Sequence, residues 1–226
     1  MAGQFNHGNA FRKAFECNCI KLIVSAYHKT IMSNFNYLNW EENDITAQLH
    51  KYIDDDPFRL KKRITTNVES ILANNSLLKN RGYAAEYSRI DMRFVVFKSN
   101  DEYKYFAEAK LLKEQDSKLK RRYIKTGIDN FTSGKYYNGC LIAYIVEGIL
   151  INTVDGVNKL LKMDHRDSEI LIKSTCNDHN EYYESMHSSI GVLKHYMFDF
   201  TNCDKTQATP HSNNEGLKNN GEVEYD

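Results

Sequence analysis

The chain has 226 residues, with 30 Lys and Arg against 30 Asp and Glu, so its net charge is zero and no global positive field draws in nucleic acid. That length fits one well-formed core and excludes two large ones, and no apolar stretch reaches membrane-spanning length. The N-terminus MAGQFNHGNAFRKAF lacks the apolar segment of a secretory signal, which predicts a cytoplasmic protein without a membrane partner.

In chain order, Phe15 to Phe35 reads as a helix with Ile20, Ile23, Val24, Tyr27 and Ile31 on one stripe. After NFNYLN, a second helix runs from Trp40 to Ile53, with Ile45, Leu49 and either Tyr52 or Ile53 facing the core. Glu42 falls on that face one turn earlier, and Glu41 is rotated away. DDDP stops this helix, and Phe58 to Leu78 reads as a third, carrying Leu60, Ile64, Val68, Ile71 and Leu72 on one side. Three helices are therefore expected ahead of the first strand, forming a helical part over 11–80, with the motif-bearing core over 83–200.

The period then changes to two. In the strand Tyr83 to Phe97, Ile90, Met92, Phe94 and Val96 share one parity, while Arg89, Asp91 and Arg93 take the other. Lys98 to Glu102 is a polar turn, after which Tyr103 to Leu112 puts Phe106, Glu108, Lys110 and Leu112 on one face. An even-length hairpin loop near Ser99 and Asn100 sets Asp91 opposite Glu108 or Lys110, so three side chains can meet. Carboxylates brought together repel, and a divalent cation between them relieves the repulsion. One or two carboxylates with water and phosphate oxygens suit magnesium, and a neighbouring lysine can stabilise charge on a phosphate and orient the attacking water. The competing reading pairs Asp91 and Glu108 with Arg93 and Lys110 as solvated strand residues.

Asp91, a hairpin, then Glu108-Ala109-Lys110 on the next strand resembles the PD-(D/E)xK nuclease superfamily, the fold of many restriction endonucleases, Holliday-junction resolvases and repair exonucleases. The likeness spans roughly Trp40 to Phe200, and Ile90 replaces the proline that gives the motif its first letter. It implies a restriction-endonuclease-like α/β fold, a central mixed sheet flanked by helices, with Asp91, Glu108 and Lys110 as the catalytic set. It also implies Mg2+, with Mn2+ as an alternative, and hydrolysis of DNA more than RNA in restriction or phage defence. Glu42 is similar to the acidic residue that many such nucleases send toward the metal from a first helix. It also suits a helix N-terminus through the macrodipole alone.

Beyond the motif, Lys118 to Gly139 combines an amphipathic pattern with Lys118, Lys120, Arg121, Arg122 and Lys125, and Lys135 follows. This cluster is either a local nucleic-acid footprint, with Arg122, Lys125 and Lys135 as the contacts, or a solvated helix face offset by KEQD. Leu141 to Val146 reads as a strand covered on both faces, Val154 to Met163 as a helix, and Glu169 to Ser174 and Leu193 to Phe200 as short strands. The five cysteines form no zinc or disulfide pattern and are expected as free buried thiols. His187 and His195 are expected to be structural or surface residues. One nuclease-like domain over 1–203 with a disordered polar tail over 204–226 follows, because the tail is nearly devoid of large apolar side chains. A homodimer or a companion defence protein is the expected protein partner. The contrasting functional reading is a catalytically inactive nucleic-acid-binding or assembly subunit with the same fold.

Overall fold

The computed structural model describes residues 7–33, 37–72 and 88–201. Helices α1 (His7–Met32), α2 (Glu42–Asp54) and the single turn α3 (Pro57–Lys61) precede strand β1 (Thr65–Leu72). The hairpin strands β2 (Ser88–Lys98) and β3 (Asp101–Lys113) follow. A helical passage then runs through α4 (Ser117–Arg122), a π-helical turn (Tyr123–Ile128) and α5 (Asp129–Thr132). The chain ends its described part with β4 (Gly139–Glu147), α6 (Leu150–Met163), β5 (Ile172–Lys173), β6 (Tyr182–His187) and β7 (Gly191–Asp199).

The described strands form one seven-stranded sheet in the order β1-β2-β3-β4-β7-β6-β5. Only β3, β4 and β7 run parallel to one another, and the other pairings are antiparallel. The fold is α/β, a central mixed sheet flanked by helices. A parallel β3–β4 pair requires a crossover, and the α4–π–α5 passage supplies it.

Strand β4 fixes where the two cores lie. Its side chains alternate between them: Cys140, Ile142, Tyr144 and Val146 join α1 and α2 on one face, while Leu141, Ala143 and Ile145 join the π turn and α6 on the other. A strand covered on both sides reads as an unbroken apolar run, as LIAYIV does. Its first residue must be small, because a Cβ on Gly139 would stand 2.0 Å from the Phe106 carbonyl oxygen.

Three expectations need correction. The third helix stops at Lys61, because Arg63 takes a left-handed φ of +56° and the β-branched run Ile64-Thr65-Thr66 then favours a strand, so Val68 pairs with Met92 in β1. Leu60, placed on its apolar stripe, is exposed. Residues 73–87, which complete that span and begin the first strand, lie outside the described residues, as does the tail 204–226. Ile90 does not share a face with Met92, Phe94 and Val96 and packs in the opposite layer. Past Met92, β2 pairs with β1 alone, and a two-stranded ribbon twists more strongly than a full sheet. Finally, β6 had no counterpart in the sequence reading.

Candidate functional site

The site is built at an interruption in hydrogen bonding along β3. The β2–β3 hairpin turns on Ser99 and Asn100, with Lys98 paired to Asp101 and Ser99 at φ +55°. The ladder runs back only to Met92 and Ala107, and one step further in the same register puts Asp91 level with Glu108. From there β3 keeps its partner β4 but has lost β2. The Phe106 N–H points toward β4, donating to the Asn138 carbonyl, so strand alternation turns the N–H groups of Ala109 and Leu111 to the bare edge. Backbone donors left without partners are costly, and carboxylates satisfy both: Ala109 N donates to Asp91 Oδ2 at 2.6 Å and Leu111 N to Glu42 Oε2 at 2.8 Å.

Glu42 reaches this edge because it opens α2. Glu41 takes the N-cap position, with its N–H donating to Asp44 Oδ2 at 2.9 Å, while Ile45, Leu49 and Ile53 anchor the helix in the core. The acid thus enters from one helical layer. Arg122, at the end of α4, enters from the other, and its Nη2 donates to Glu42 Oε1 at 2.8 Å.

Lys110 stands among the three carboxylates. Its Nζ lies 2.7 Å from Glu108 Oε1, 3.4 Å from Glu42 Oε1 and 3.8 Å from Asp91 Oδ2, and it donates to the Ala109 carbonyl at 2.6 Å. Glu42, Glu108 and Lys110 are buried, and the Asp91 side chain is 20% exposed. Burial lifts the Glu108 carboxyl to about 7, Asp91 pushes in the same direction, and Lys110 opposes both. Burial also raises Asp91, against Lys110 and the Ala109 N–H. For Lys110 burial works downward, yet Glu108, Asp91 and Glu42 outweigh it and hold the ammonium above its ordinary value.

One oxygen in this cluster stands out. Glu108 Oε2 is buried and meets no donor at hydrogen-bonding geometry, although the Tyr136 phenol acts on the carboxyl to favour its ionised form. An unsatisfied buried acceptor costs about 1–3 kcal/mol and calls for an explanation such as a missing ligand. A magnesium ion is the ligand that the superfamily resemblance implies, and the donor chemistry fits: hard carboxylate oxygens from Asp91 and Glu108, with Glu42 close by. Among the described residues no three acidic, His or Cys side chains form a preformed metal cage. Magnesium does not need one, since it is commonly held by one or two carboxylates plus water and phosphate.

All four residues expected at the centre, Asp91, Glu108, Lys110 and Glu42, are brought together. Of the three expected cationic contacts, Arg122 joins them directly. Lys135 comes near enough to feel Glu108, Lys110 and Asp91, with burial lowering its ammonium overall and its Nζ 5.0 Å above the Tyr136 ring. Lys125 is exposed on the π turn. The run of five cations does not form one basic face, because Lys120 is buried on the Glu114 carbonyl and Arg121 pairs with Asp164. Tyr136 was missed, since nothing in its local pattern separates it from the other tyrosines.

His187 and His195 prove to be internal. Glu169 Oε2, His187, Ser185, His195 and Tyr123 form a continuous chain with links of 2.7, 2.6, 2.7 and 2.8 Å. With Glu169 ionised it runs one way: Tyr123 donates to His195 Nδ1, His195 Nε2–H to Ser185, Ser185 to His187 Nε2, and His187 Nδ1–H to Glu169. The chain ties the π turn, directly after Arg122, to β6 and β7. Four cysteines are free; Cys19 and Cys140 are buried, Cys176 is partly so and Cys17 is exposed, while Cys203 lies outside the described residues.

No family model matches the chain, and no curated protein or solved structure matches it either. None of the described helices is long and apolar enough to cross a membrane.

Proposed function

We propose that this protein is a magnesium-dependent nuclease of the PD-(D/E)xK type that hydrolyses phosphodiester bonds in DNA, acting in the cytoplasm in restriction or phage defence. The observation that carries this reading is the convergence of Asp91, Glu108 and Lys110 at the bare edge of β3, with the Glu42 carboxylate brought to the same ammonium from α2. Asp91, Glu108 and Glu42 are the residues that would hold the metal. When bound, a divalent cation supplies Lewis-acid polarisation of the phosphate and a more acidic water.

The protein's own groups account for the rest. Lys110, charged by its three carboxylate neighbours, is placed to donate to a non-bridging phosphate oxygen and to orient the attacking water. The bond formed is between the water oxygen and phosphorus, the bond broken is between phosphorus and a sugar oxygen, and the proton leaving the water ends on the departing oxygen or in solvent. Arg122 and Lys135 flank the centre and offer cations to the neighbouring phosphates, with Lys125 further out.

The test is cleavage of a panel of single- and double-stranded DNA and RNA by purified protein with Mg2+ or Mn2+. Asp91→Ala and Lys110→Ala should each lower cutting by about 100-fold or more, assayed at a temperature where circular dichroism shows the variant still folded. Cutting that persists in both variants would sink the assignment. A second reading, an inactive nucleic-acid-binding or assembly subunit, draws support from the way Lys110 and Arg122 already neutralise Glu42 and Glu108. It predicts nucleic-acid binding without cutting on every substrate, and unaltered binding in Asp91→Ala.

A further inference from the structure

Next to the centre the structure carries an aromatic side chain that the hydrolytic chemistry does not use. Tyr137 is 69% exposed, and its ring meets Phe106 edge-on, at 5.3 Å between centroids and 87° between planes. Phe106 precedes Glu108 by two positions in β3, roughly 7 Å along the strand. Lys135 and Tyr136, which directly precede Tyr137, both interact electrostatically with Glu108 and Asp91.

Beside Tyr137 lies a cleft of about 440 Å³, lined among others by Arg12, Asn100, Asp101, Glu102, Tyr137 and Asn138. The volume is that of a small-molecule site. Its chemistry selects among the parts of a nucleotide. Arg12 and Lys104 are balanced on its wall by Asp101 and Glu102, with Lys104 and Glu102 paired at 2.6 Å, so the cleft has no net positive charge to select a phosphate. Carboxylates and carboxamides are, however, acceptors and donors suited to the edge of an unpaired base, such as the ring N–H and carbonyls that thymine exposes when it is not paired. Asn138 is fixed in place, with Nδ2 donating to the Lys104 carbonyl at 3.1 Å, which leaves its own Oδ1 directed by that bond. Arg12 is exposed at the rim, where a flanking phosphate would pass.

We infer that this cleft takes an unpaired nucleobase stacked on Tyr137, so that the substrate of the proposed centre is single-stranded or frayed DNA rather than an intact duplex. A base inside a duplex keeps both faces against its neighbours and cannot offer one to a side chain, whereas an unstacked base can. The inference rests on the nuclease reading for the identity of its ligand, so binding and cutting are read separately.

The binding probe is a short fluorescent oligo(dT) strand, compared with a blunt duplex of the same length, with metal chelated so that nothing is cut. Tyr137→Ala should weaken oligo(dT) binding about 10- to 100-fold and leave duplex binding unchanged, while Tyr137→Phe should stay within roughly threefold of the natural protein. Equal oligo(dT) binding by Tyr137→Ala and the natural protein, or tighter binding of duplex than of single strand, overturns the inference. Cutting of the same strands with Mg2+, compared with Asp91→Ala, tests the parent reading. Cutting that survives while the Tyr137 effect is missing refutes the stacking site alone. Neither binding nor cutting of any strand refutes both.

Discussion

Replacing His195 by Gln tests whether the buried chain from Tyr123 to Glu169 is the neutral, one-way relay drawn above. His195 is fully buried, and burial, with His187 adding in the same direction, drops its imidazole from 6.5 to about 3. A folded-state value below the unfolded one means that the unfolded chain takes the proton first. Stability is therefore whole above pH 6.5 and drains away as the pH falls toward 3. Near pH 5 almost every unfolded His195 is protonated and almost no folded one is, which removes about 2 kcal/mol, rising to about 4–5 kcal/mol near pH 3. The groups facing the pair do not cancel this. His187 is itself lowered by burial, against Glu169, and adds to the loss, while Glu169 is held below its ordinary value by Arg166 and His187 despite burial, a shift whose stability is likewise lost as the pH falls. Asp129 and Arg166 pair with each other at 2.8 Å. Gln keeps an acceptor for Tyr123 and a donor for Ser185 but cannot titrate. Urea unfolding followed by the fluorescence of Trp40, the single tryptophan, should show the midpoint of the natural protein falling by roughly 1 M more than that of His195→Gln between pH 7 and 5. Parallel midpoints in the two proteins would refute the buried neutral imidazole.

Removing the Lys110 ammonium strands three acidic side chains around its place, so Lys110→Met without metal should lose about 3–5 kcal/mol in the same urea assay. Added Mg2+ should raise the melting temperature of that variant more than that of the natural protein, and an equal response would count against a cation at this position. Arg122→Ala removes one flanking cation, and titrations of DNA binding against salt should show the slope falling by about one unit uniformly across sequences. Gly139→Ala drives a methyl into the Phe106 carbonyl and should destabilise by about 2–3 kcal/mol, a loss visible as a lower urea midpoint with the β3–β4 pairing disturbed.

How much of this was legible follows from the range of each interaction. Strand alternation put Asp91 on the same side as Glu108 and Lys110 but left it opposite either one, and the two-residue turn at Ser99 and Asn100 in the structure sets it level with Glu108. The apolar run of β4 and the stripe of α1 were equally plain, since burial writes itself into local periodicity. Glu42 could be placed on the inner face of α2 by its spacing from Ile45 and Leu49, but not distinguished from a helix-start acid. Its assignment came from the Leu111 N–H, a donor exposed only because β2 leaves β3 after Met92. The third helix was misread because Leu60, Ile64 and Val68 satisfy a helical period as well as the end of one element and the start of another, and the left-handed turn at Arg63 has no glycine to announce it.

By itself, then, the sequence determined which residues could do chemistry and which elements hold them, because those depend on neighbours a few positions apart. The tertiary structure alone decided that Lys110 stands among all three acids, that Arg122 closes on Glu42 from across 80 positions of chain, and that the Tyr136 phenol reaches the Glu108 carboxyl. Those contacts arise where two helical layers meet at the edge of one strand, and no local pattern records which side chains arrive there or how far water is excluded from them.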